Sequence, residues 1–436
     1  MAKGVGKILG FYFRVNLLLR ILIGLVLGII FGIIVAKTGI NSNNQISGVL
    51  DPIGGILIRL LKMIVTPVIF FSLVVGASSI TPSRLGRVGA KIFFYYMLTS
   101  AIAVFIGLVF GNIFKPGVGF NAVALNAVEK TLNVDKPPLI DTLMNIIPTN
   151  PFESLAKGDV LPVIFFSLIF GLTVAILKES KESVLSRSAQ VVFDFFNGAA
   201  EVMYKVVRGV LEYAPFGVFA LIALVFAKQG VQAFGPLLMI TLTIFGAMAV
   251  HFLITYGLSL SLFRLSIIKF CKMNKEAMLT AFVTRTSSGT LPITMKNAEE
   301  NMGVHRNISS FTLPLGATLN MDGTAIYLGV CALFIANAIG MNLTLSQQGI
   351  IVLTAVLASI GTAGVPGAGA IMLVMVLESI NIKVDAGTTV ALAYGAIVGI
   401  DAILDMGRTL LNVTGDLAGT AIVAKSEKEL DLNKWK

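Results

Sequence analysis

Eight stretches of the sequence are apolar over lengths that suit a helix crossing a bilayer, near residues 16 to 36, 52 to 76, 92 to 113, 161 to 177, 199 to 227, 236 to 263, 309 to 339 and 387 to 414. One such crossing needs about 20 residues. Of the 436 residues, 56% are hydrophobic and 13% are charged, whereas a soluble protein carries roughly a quarter charged residues. The chain is therefore predicted to be an all-α polytopic membrane protein.

Basic residues give the chain a net charge of +10 and concentrate between the apolar runs, notably at 84–91, 178–187 and 264–275. This placement favours orientation in the membrane over a nucleic-acid-binding face, and it puts both termini in the cytoplasm. The two cysteines are Cys271, expected in a basic loop, and Cys331, inside a span. Neither a disulfide framework nor a cysteine-rich metal site is expected.

Two segments have the length of a span but are broken in the middle. Residues 276 to 295 have basic flanks on both sides and carry Arg285 and Pro292 between them, so a single lipid-facing crossing is disfavoured. Residues 348 to 380 have two apolar halves separated by four glycines and Pro366. Interrupted segments in corresponding positions are typical of inverted-repeat transporters with a site at the midplane. We expect two re-entrant helical hairpins that approach from opposite faces.

The seventh span contains the sequence PLGATLNMDGTAIY, residues 314 to 327. Proline and glycine weaken the helix where oxygen-bearing side chains occur, namely Thr318, Asn320, Asp322 and Thr324. Unwound backbone adds carbonyl oxygens, and a hard cation takes about six oxygen ligands. The alternative is a kinked helix whose aspartate pairs with a buried base.

The last span carries a narrow polar stripe in the sequence IDAILDMGRTLLNVTGD, formed by Asp401, Asp405, Arg408, Asn412 and Asp416. Successive members of the stripe are three or four residues apart, which keeps their side chains on one helix face. An amino dicarboxylate would need a guanidinium for its carboxylate and a buried carboxylate for its ammonium, which Arg408 and Asp405 supply. Alternatively, Asp405 and Arg408 form an ion pair without a ligand. Asp401 either pairs with Arg285 across the bundle or serves the site.

The motifs TRTSSGTLP, NMDGT, GTAGVPGAG and DAILDMGRTLLNVTGD occur in this order, with RLLKMIVTPVIF, YYMLTS and IPTNPF before them. Together they resemble the glutamate transporter homologues, the dicarboxylate/amino acid:cation symporters, and especially the archaeal sodium:aspartate members. The resemblance implies eight transmembrane helices plus two re-entrant hairpins in inverted repeats, a homotrimer and an elevator mechanism. It also implies a prokaryotic plasma-membrane protein that is not an enzyme and has no nucleic-acid partner.

The implied function is symport that couples sodium influx to uptake of an acidic amino acid, aspartate before glutamate, with several sodium ions per protomer and no organic cofactor. A proton-coupled carrier and a passive anion channel are the alternatives. Besides sodium and substrate, the implied partners are membrane lipid and two further copies of the chain. Thr286 replaces a serine of the family's usual serine run in the first hairpin. The combination of Arg285 with Met406 resembles prokaryotic members that do not require potassium.

The resemblance also implies a set of site residues. Arg408 would bind the side-chain carboxylate with Thr324 nearby, Asp405 the ammonium, and Asn412 and Ser287 the α-carboxylate. The other implied substrate-binding residues are Arg285, Val365, Gly369 and Thr409. Sodium ligands would form three groups: first Gly316, Asn320, Asn412 and Asp416; second Thr318, Ser359, Ile360 and Thr362; third Tyr96, Thr99, Ser100, Asn320 and Asp322.

The expected organisation divides the chain into seven segments. They are 1–91 with scaffold spans one and two, 92–187 with spans three and four and a long external loop, 188–263 with spans five and six, 264–306 with the cytoplasmic-side hairpin, 307–340 with the unwound seventh span, 341–386 with the extracellular-side hairpin, and 387–436 with the eighth span and cytoplasmic tail.

Overall fold

The computed structural model describes residues 15–38, 45–78, 85–120, 144, 146–359, 364, 366–385 and 387–435. The regular structure of these residues is helical, and their β pairing is limited to one bridge between Val304 and Leu430. In chain order the α-helices are α1 Leu17–Thr38, α2 Gln45–Ser78, α3 Ala90–Phe114, α4 Pro151–Lys157, α5 Val160–Lys178, α6 Ser183–Gln229, α7 Phe234–His251, α8 Gly257–Leu262, α9 Ile267–Thr284, α10 Ser287–Lys296, α11 Arg306–Leu319, α12 Asp322–Ala338, α13 Leu345–Ser359, α14 Ala368–Ser379 and α15 Thr389–Ser426.

Seven helical stretches of the described chain are long and apolar enough to cross a membrane. One of them, Ser183–Leu262, is 80 residues long, several times the length of about 20 that one crossing needs. It contains α6, α7 and α8, with a 3₁₀ turn at Gly230–Ala233 between the first two. The predicted fifth and sixth spans therefore both lie within it. The prediction of an all-α polytopic membrane protein is confirmed.

Burial separates the interior helices from those that face lipid. The Arg306–Ala338 stretch, α11 and α12, is fully buried in its most apolar window, and Thr389–Ser426 is 89% buried, whereas the other stretches are 39–56% buried. The two interior stretches are also the ones that carry the oxygen-rich and charged motifs. Polar groups there are shielded from lipid, so neighbouring protein must satisfy them.

Two helix pairs occupy the segments predicted as hairpins. Between α9 and α10, Arg285 adopts a left-handed conformation with φ of 56°, and the Thr286 side chain caps α10 by accepting from Gly289 N. Helices α13 and α14 also pack against each other. The pairs meet at their tips, because Thr286 Oγ1 donates to Gly364 O at 2.5 Å. A Cβ on Gly364 would lie 3.1 Å from Ala317 O, so both tips lie beside the end of α11.

Cys271 lies inside α9 rather than in a loop, so that prediction is wrong. The lysines at this end of α9 predicted a loop, but charge indicates solvent exposure and does not prevent helix formation.

The seventh span is divided at Asn320, which has extended backbone, and at Met321. Its two halves are α11 and α12.

The chain after α15 folds back onto the base of the α9–α10 pair. Leu430 bridges Val304, and the single tryptophan of the sequence, Trp435, donates through Nε1 to Met302 O at 2.8 Å. Lys269 Nζ in turn donates to Trp435 O at 2.8 Å. The tail therefore ties α15 to the first helix pair.

Candidate functional site

Arg408 lies at the centre of the polar stripe on α15 and is 1% exposed. Its Nη2 donates to Asp405 Oδ1 at 2.8 Å, and its Nη1 lies 3.1 Å from Asp401 Oδ1. The guanidinium carbon is 4.1 Å from the centroid of the Tyr327 ring. Arg285 Nη1 approaches Asp405 Oδ2 at 3.9 Å from the tip of the α9–α10 pair. Two carboxylates and two guanidinium groups thus balance each other in a buried cluster, as burial of charge requires.

Of the two alternatives for Asp401, the pairing with Arg285 is wrong, because Asp401 pairs with Arg408 and Arg285 lies beside Asp405. Residues 401 and 408 are seven apart, two helix turns, so they share a face within reach of a long arginine side chain. The ion pair between Asp405 and Arg408 is present. Even so, Arg408 Nε and Nη1 make no hydrogen bond among the described residues. Nη1 contacts Asp401 Oδ1 as an ion pair without hydrogen-bond geometry, so both groups keep hydrogen-bonding capacity in the buried cluster.

Helix α14 brings backbone close to this cluster. Gly367 N donates to Asp405 Oδ2 at 3.4 Å, and a Cβ on Gly369 would overlap Arg408 Nη1. Only glycine at position 369 leaves room for the guanidinium. Val365, another predicted substrate-binding residue, lies outside the described residues.

Asn412 joins the stripe to the break in the seventh span. Its Oδ1 accepts from Gly323 N at 2.8 Å, and its Nδ2 lies within hydrogen-bond distance of Thr324 Oγ1 at 3.5 Å. Ser287, in the first turn of α10, is 3% exposed. Thr409, next to Arg408 on α15, is 5% exposed. The structure therefore brings Asn412 and Thr324 together and buries the remaining described members of the predicted substrate set.

The first predicted cation group is assembled between α11 and α15. Asn320 Nδ2 donates to Asp416 Oδ1 at 3.1 Å and to Asn412 O at 3.1 Å. A Cβ on Gly316 would lie 2.6 Å from Asp416 Oδ1. Asn320 thus contacts Asp416 and Asn412 through its amide nitrogen, and Gly316 lies beside the Asp416 carboxylate. All four residues also carry oxygen atoms, the ligand type that a hard cation takes.

The third predicted cation group is assembled between α3 and the break. Ser100 Oγ donates to Asp322 Oδ1 at 2.7 Å, and Thr99 Oγ1 lies 3.5 Å from Asn320 Oδ1. Tyr96 OH donates to Thr312 O at 3.1 Å. A Cβ on Gly316 would lie 2.6 Å from the Tyr96 hydroxyl oxygen. Asn320 therefore belongs to both groups. Among the described residues, no cluster of three or more His, Cys, Asp or Glu side chains has the arrangement of a metal site.

The second predicted group is described only in part. Thr318 Oγ1 donates to Leu315 O at 3.0 Å, and Ser359 ends α13. Ile360 and Thr362 lie outside the described residues.

Two residues at this site were missed from the sequence. His251 Nε2 lies 3.2 Å from Asp322 Oδ2, and Tyr256 OH donates to the same oxygen at 2.7 Å. A signal existed for His251, because no Asp, Glu, Lys or Arg occurs between residues 236 and 263. An ionisable group within a span is a functional candidate by default.

A buried, charge-balanced cluster beside broken helices, in a chain with several membrane-spanning helices, is typical of a membrane carrier for a polar solute. Comparison with known families specifies the carrier: residues 17–426 match the sodium:dicarboxylate symporter family, and the chain belongs to it. It is a transporter and not an enzyme. The class of transport is cation-coupled symport of an acidic substrate.

Individual relatives support this membership. The chain is 37% identical over 401 residues to a proton/sodium-glutamate symport protein of Geobacillus stearothermophilus, which covers 90% of this chain and 91% of that protein. It is 34% identical over 394 residues to a proton/glutamate-aspartate symporter of Escherichia coli strain K12, covering 88% and 87%. A C4-dicarboxylate transport protein of Bacillus subtilis strain 168 is 31% identical over 387 residues, covering 88% of each chain.

Proposed function

We propose that the protein couples sodium influx to uptake of an acidic amino acid, aspartate before glutamate. The observation that carries the proposal is the buried Arg408 guanidinium, which contacts Asp401 and Asp405 as ion pairs while its Nε and Nη1 make no hydrogen bond among the described residues. A planar guanidinium suits a carboxylate, and a buried aspartate suits an ammonium. Asp405 therefore favours an amino dicarboxylate over a dicarboxylate without an amine.

Sodium is proposed as the coupling ion because two oxygen-rich groups surround Asp416 and Asp322, and both aspartates are fully buried or nearly so. Apart from the His251 ring beside Asp322, the described neighbours of the two aspartates are hydroxyl and amide groups, whose oxygens suit a hard monovalent cation. The proton-coupled alternative draws on relatives described as proton/sodium or proton symporters. In that case the two aspartates would carry protons instead of contacting an ion.

The same proposal includes alternating access by movement of one part of the protein against another. A scaffold containing α1 and α2 would face a mobile part containing the α9–α10 and α13–α14 pairs, α11, α12 and α15. Contacts across this boundary include an ion pair, Lys62 Nζ to Asp385 Oδ1 at 3.3 Å, and apolar contacts with α6, such as Leu211, which would lie 3.0 Å from a Cβ on Gly367. Apolar contacts of this kind can be exchanged at low cost as the parts slide. The proposed assembly is a homotrimer of 46.3 kDa chains.

The test is uptake of radiolabelled aspartate by proteoliposomes that contain the purified full chain. An inward sodium gradient should drive accumulation, and replacing sodium by choline should abolish it. Excess unlabelled succinate should compete weakly, because it lacks the ammonium that Asp405 binds. Accumulation driven by a pH gradient without sodium would favour the proton-coupled carrier. Equilibration without accumulation under both gradients would favour a passive channel.

A further inference from the structure

A π-helical turn, Phe252–Tyr256, follows His251 at the end of α7. In an α-helix, residues five apart point in directions that differ by about 140°. A π turn, whose hydrogen bonds join residues five apart, instead stacks them on one side, and such turns are frequent at functional sites. His251 and Tyr256 are both fully buried, and their ring centroids are 4.9 Å apart. The turn therefore places two polar rings on the same face of an otherwise apolar helix.

Both rings contact one oxygen of one carboxylate. Tyr256 OH donates to Asp322 Oδ2 at 2.7 Å, and His251 Nε2 is 3.2 Å from that oxygen. The other oxygen, Oδ1, accepts from Ser100 Oγ at 2.7 Å. Ser100 lies on α3 next to Thr99, on the side of the third cation group. The two carboxylate oxygens thus face different surroundings.

The histidine ring is itself held in place. An ionised Asp322 can only accept hydrogen bonds, so Nε2 of His251 carries the proton that faces it. Its Nδ1 is then an acceptor, and Thr255 Oγ1 lies 3.2 Å away, where the hydroxyl can donate. A second partner of this kind fixes the tautomer and the orientation of a histidine ring.

We propose that His251 and Tyr256 are positioning residues for the cation site at Asp322. By holding Oδ2 they prevent rotation of the carboxylate, a torsion that is otherwise broad, and aim Oδ1 toward Ser100, Thr99 and Asn320. The proposal rests on the proposed sodium coupling. It adds two residues from α7 and the π turn that donate to Asp322 without contacting the ion.

The test compares two amides at position 251. In His251→Gln the side-chain nitrogen reaches about as far as Nε2, whereas in His251→Asn it stops near Nδ1, so the pair is matched in polarity and differs in reach. Tyr256→Phe removes the second donor. Tyr213→Phe is the matched control, because it removes a hydroxyl that donates to Ile53 O at 3.0 Å, a contact between α6 and α2 that does not involve Asp322.

Two quantities are measured on purified full-length protein: the sodium concentration that gives half-maximal aspartate binding, and the aspartate dissociation constant at saturating sodium. His251→Asn and Tyr256→Phe should raise the first by about 10-fold to 100-fold, since a buried charge-assisted hydrogen bond is lost. The second should change by less than about threefold, because the substrate contacts remain. His251→Gln and Tyr213→Phe should stay near the parent.

The outcomes separate this proposal from the function on which it rests. Aspartate binding that is independent of sodium in the parent would overturn the sodium coupling itself. A sodium-dependent parent with unchanged sodium requirement in His251→Asn and Tyr256→Phe would overturn the positioning role. Equal losses in His251→Gln and His251→Asn would also overturn it, because the reach of the donor would then be irrelevant.

Thermal unfolding verifies that each variant is folded. If His251→Asn or Tyr256→Phe does not fold, Thr255→Val decides, because it is nearly isosteric and removes only the hydroxyl that fixes the ring. It should raise the sodium requirement in the same direction and by a smaller factor. No change in that variant would count against the proposal.

Discussion

Replacing Arg408 by cysteine is expected to abolish recognition of aspartate while the site keeps the ability to hold a neutral amino acid. Arg408 Nη2 bonds Asp405 at 2.8 Å, and Nη1 lies 3.1 Å from Asp401. In the proposed complex, the substrate carboxylate engages Nε and Nη1, which make no hydrogen bond among the described residues, and it replaces the ion contact of Nη1 with Asp401. Arg408→Cys removes these donors and leaves two buried carboxylates, with Arg285 as the remaining counter-charge among the described residues of the cluster.

The magnitude follows from the burial of Arg408, which is 1% exposed. Removing one partner from a buried ion pair costs about 3–5 kcal/mol, and each 1.4 kcal/mol corresponds to roughly tenfold in a dissociation constant. The aspartate dissociation constant should therefore rise by at least about 100-fold. Binding of serine should be retained or gained, because the ammonium contact with Asp405 persists and no carboxylate needs a cation.

The assay is calorimetric titration of the purified variant with aspartate and with serine at saturating sodium. Arg408→Lys is the matched control: it keeps the charge but lacks the planar fork, so its loss of aspartate affinity should be intermediate. An unchanged aspartate dissociation constant in Arg408→Cys would refute the assignment. Equal losses for aspartate and serine would indicate collapse of the pocket instead of loss of a specific contact.

Three further predictions follow from the described contacts. Asp416→Asn should raise the sodium concentration for half-maximal aspartate binding by about tenfold or more, whereas aspartate affinity at saturating sodium should largely recover in the same titration. Gly369→Ala should lower aspartate affinity by about tenfold or more, because its Cβ displaces the guanidinium, while Gly349→Ala, with open space around it, should not. Lys91 donates to Glu427 and lowers the pKa of that carboxyl. The pair therefore stabilises the fold above the pKa that Glu427 has in the unfolded chain, and this stability is lost as pH falls through the pKa of Glu427 in the folded protein. Melting temperatures recorded from neutral to acidic pH should therefore fall more in the parent than in Glu427→Gln.

The sequence was sufficient for the features that depend on the cost of polarity in an apolar environment. Charged residues on α15 stand out because such groups are expensive within a span. The break at Asn320 stands out because Pro314 and the neighbouring glycines weaken a helix where oxygens accumulate. Both are local properties that a single segment displays without knowledge of its neighbours.

Features that depend on which groups face each other could not be obtained in this way. Asp401 and Asp405 both lie within reach of an arginine, and the choice of partner was decided by where the tip of the α9–α10 pair places Arg285. The contribution of Tyr256 was hidden for a different reason. A π turn shifts the helical register by one residue, so the usual 3.6-residue periodicity assigns His251 and Tyr256 to different faces.

The connection between the proposed ion and substrate sites is short enough to account for coupling without a large relay. Asn320 Nδ2 bonds both Asp416 Oδ1 and Asn412 O, and Asn412 Oδ1 accepts from Gly323 N. An ion that orders Asn320 and Asp416 would thereby also fix Asn412, which lies one helix turn from Arg408. Such an ion would tighten substrate binding by stabilising a geometry that both ligands use, and linkage then requires the substrate to tighten ion binding by the same factor. Coupling in this scheme is a property of one shared set of hydrogen bonds, so a variant that loosens Asn320 should weaken both ligands together.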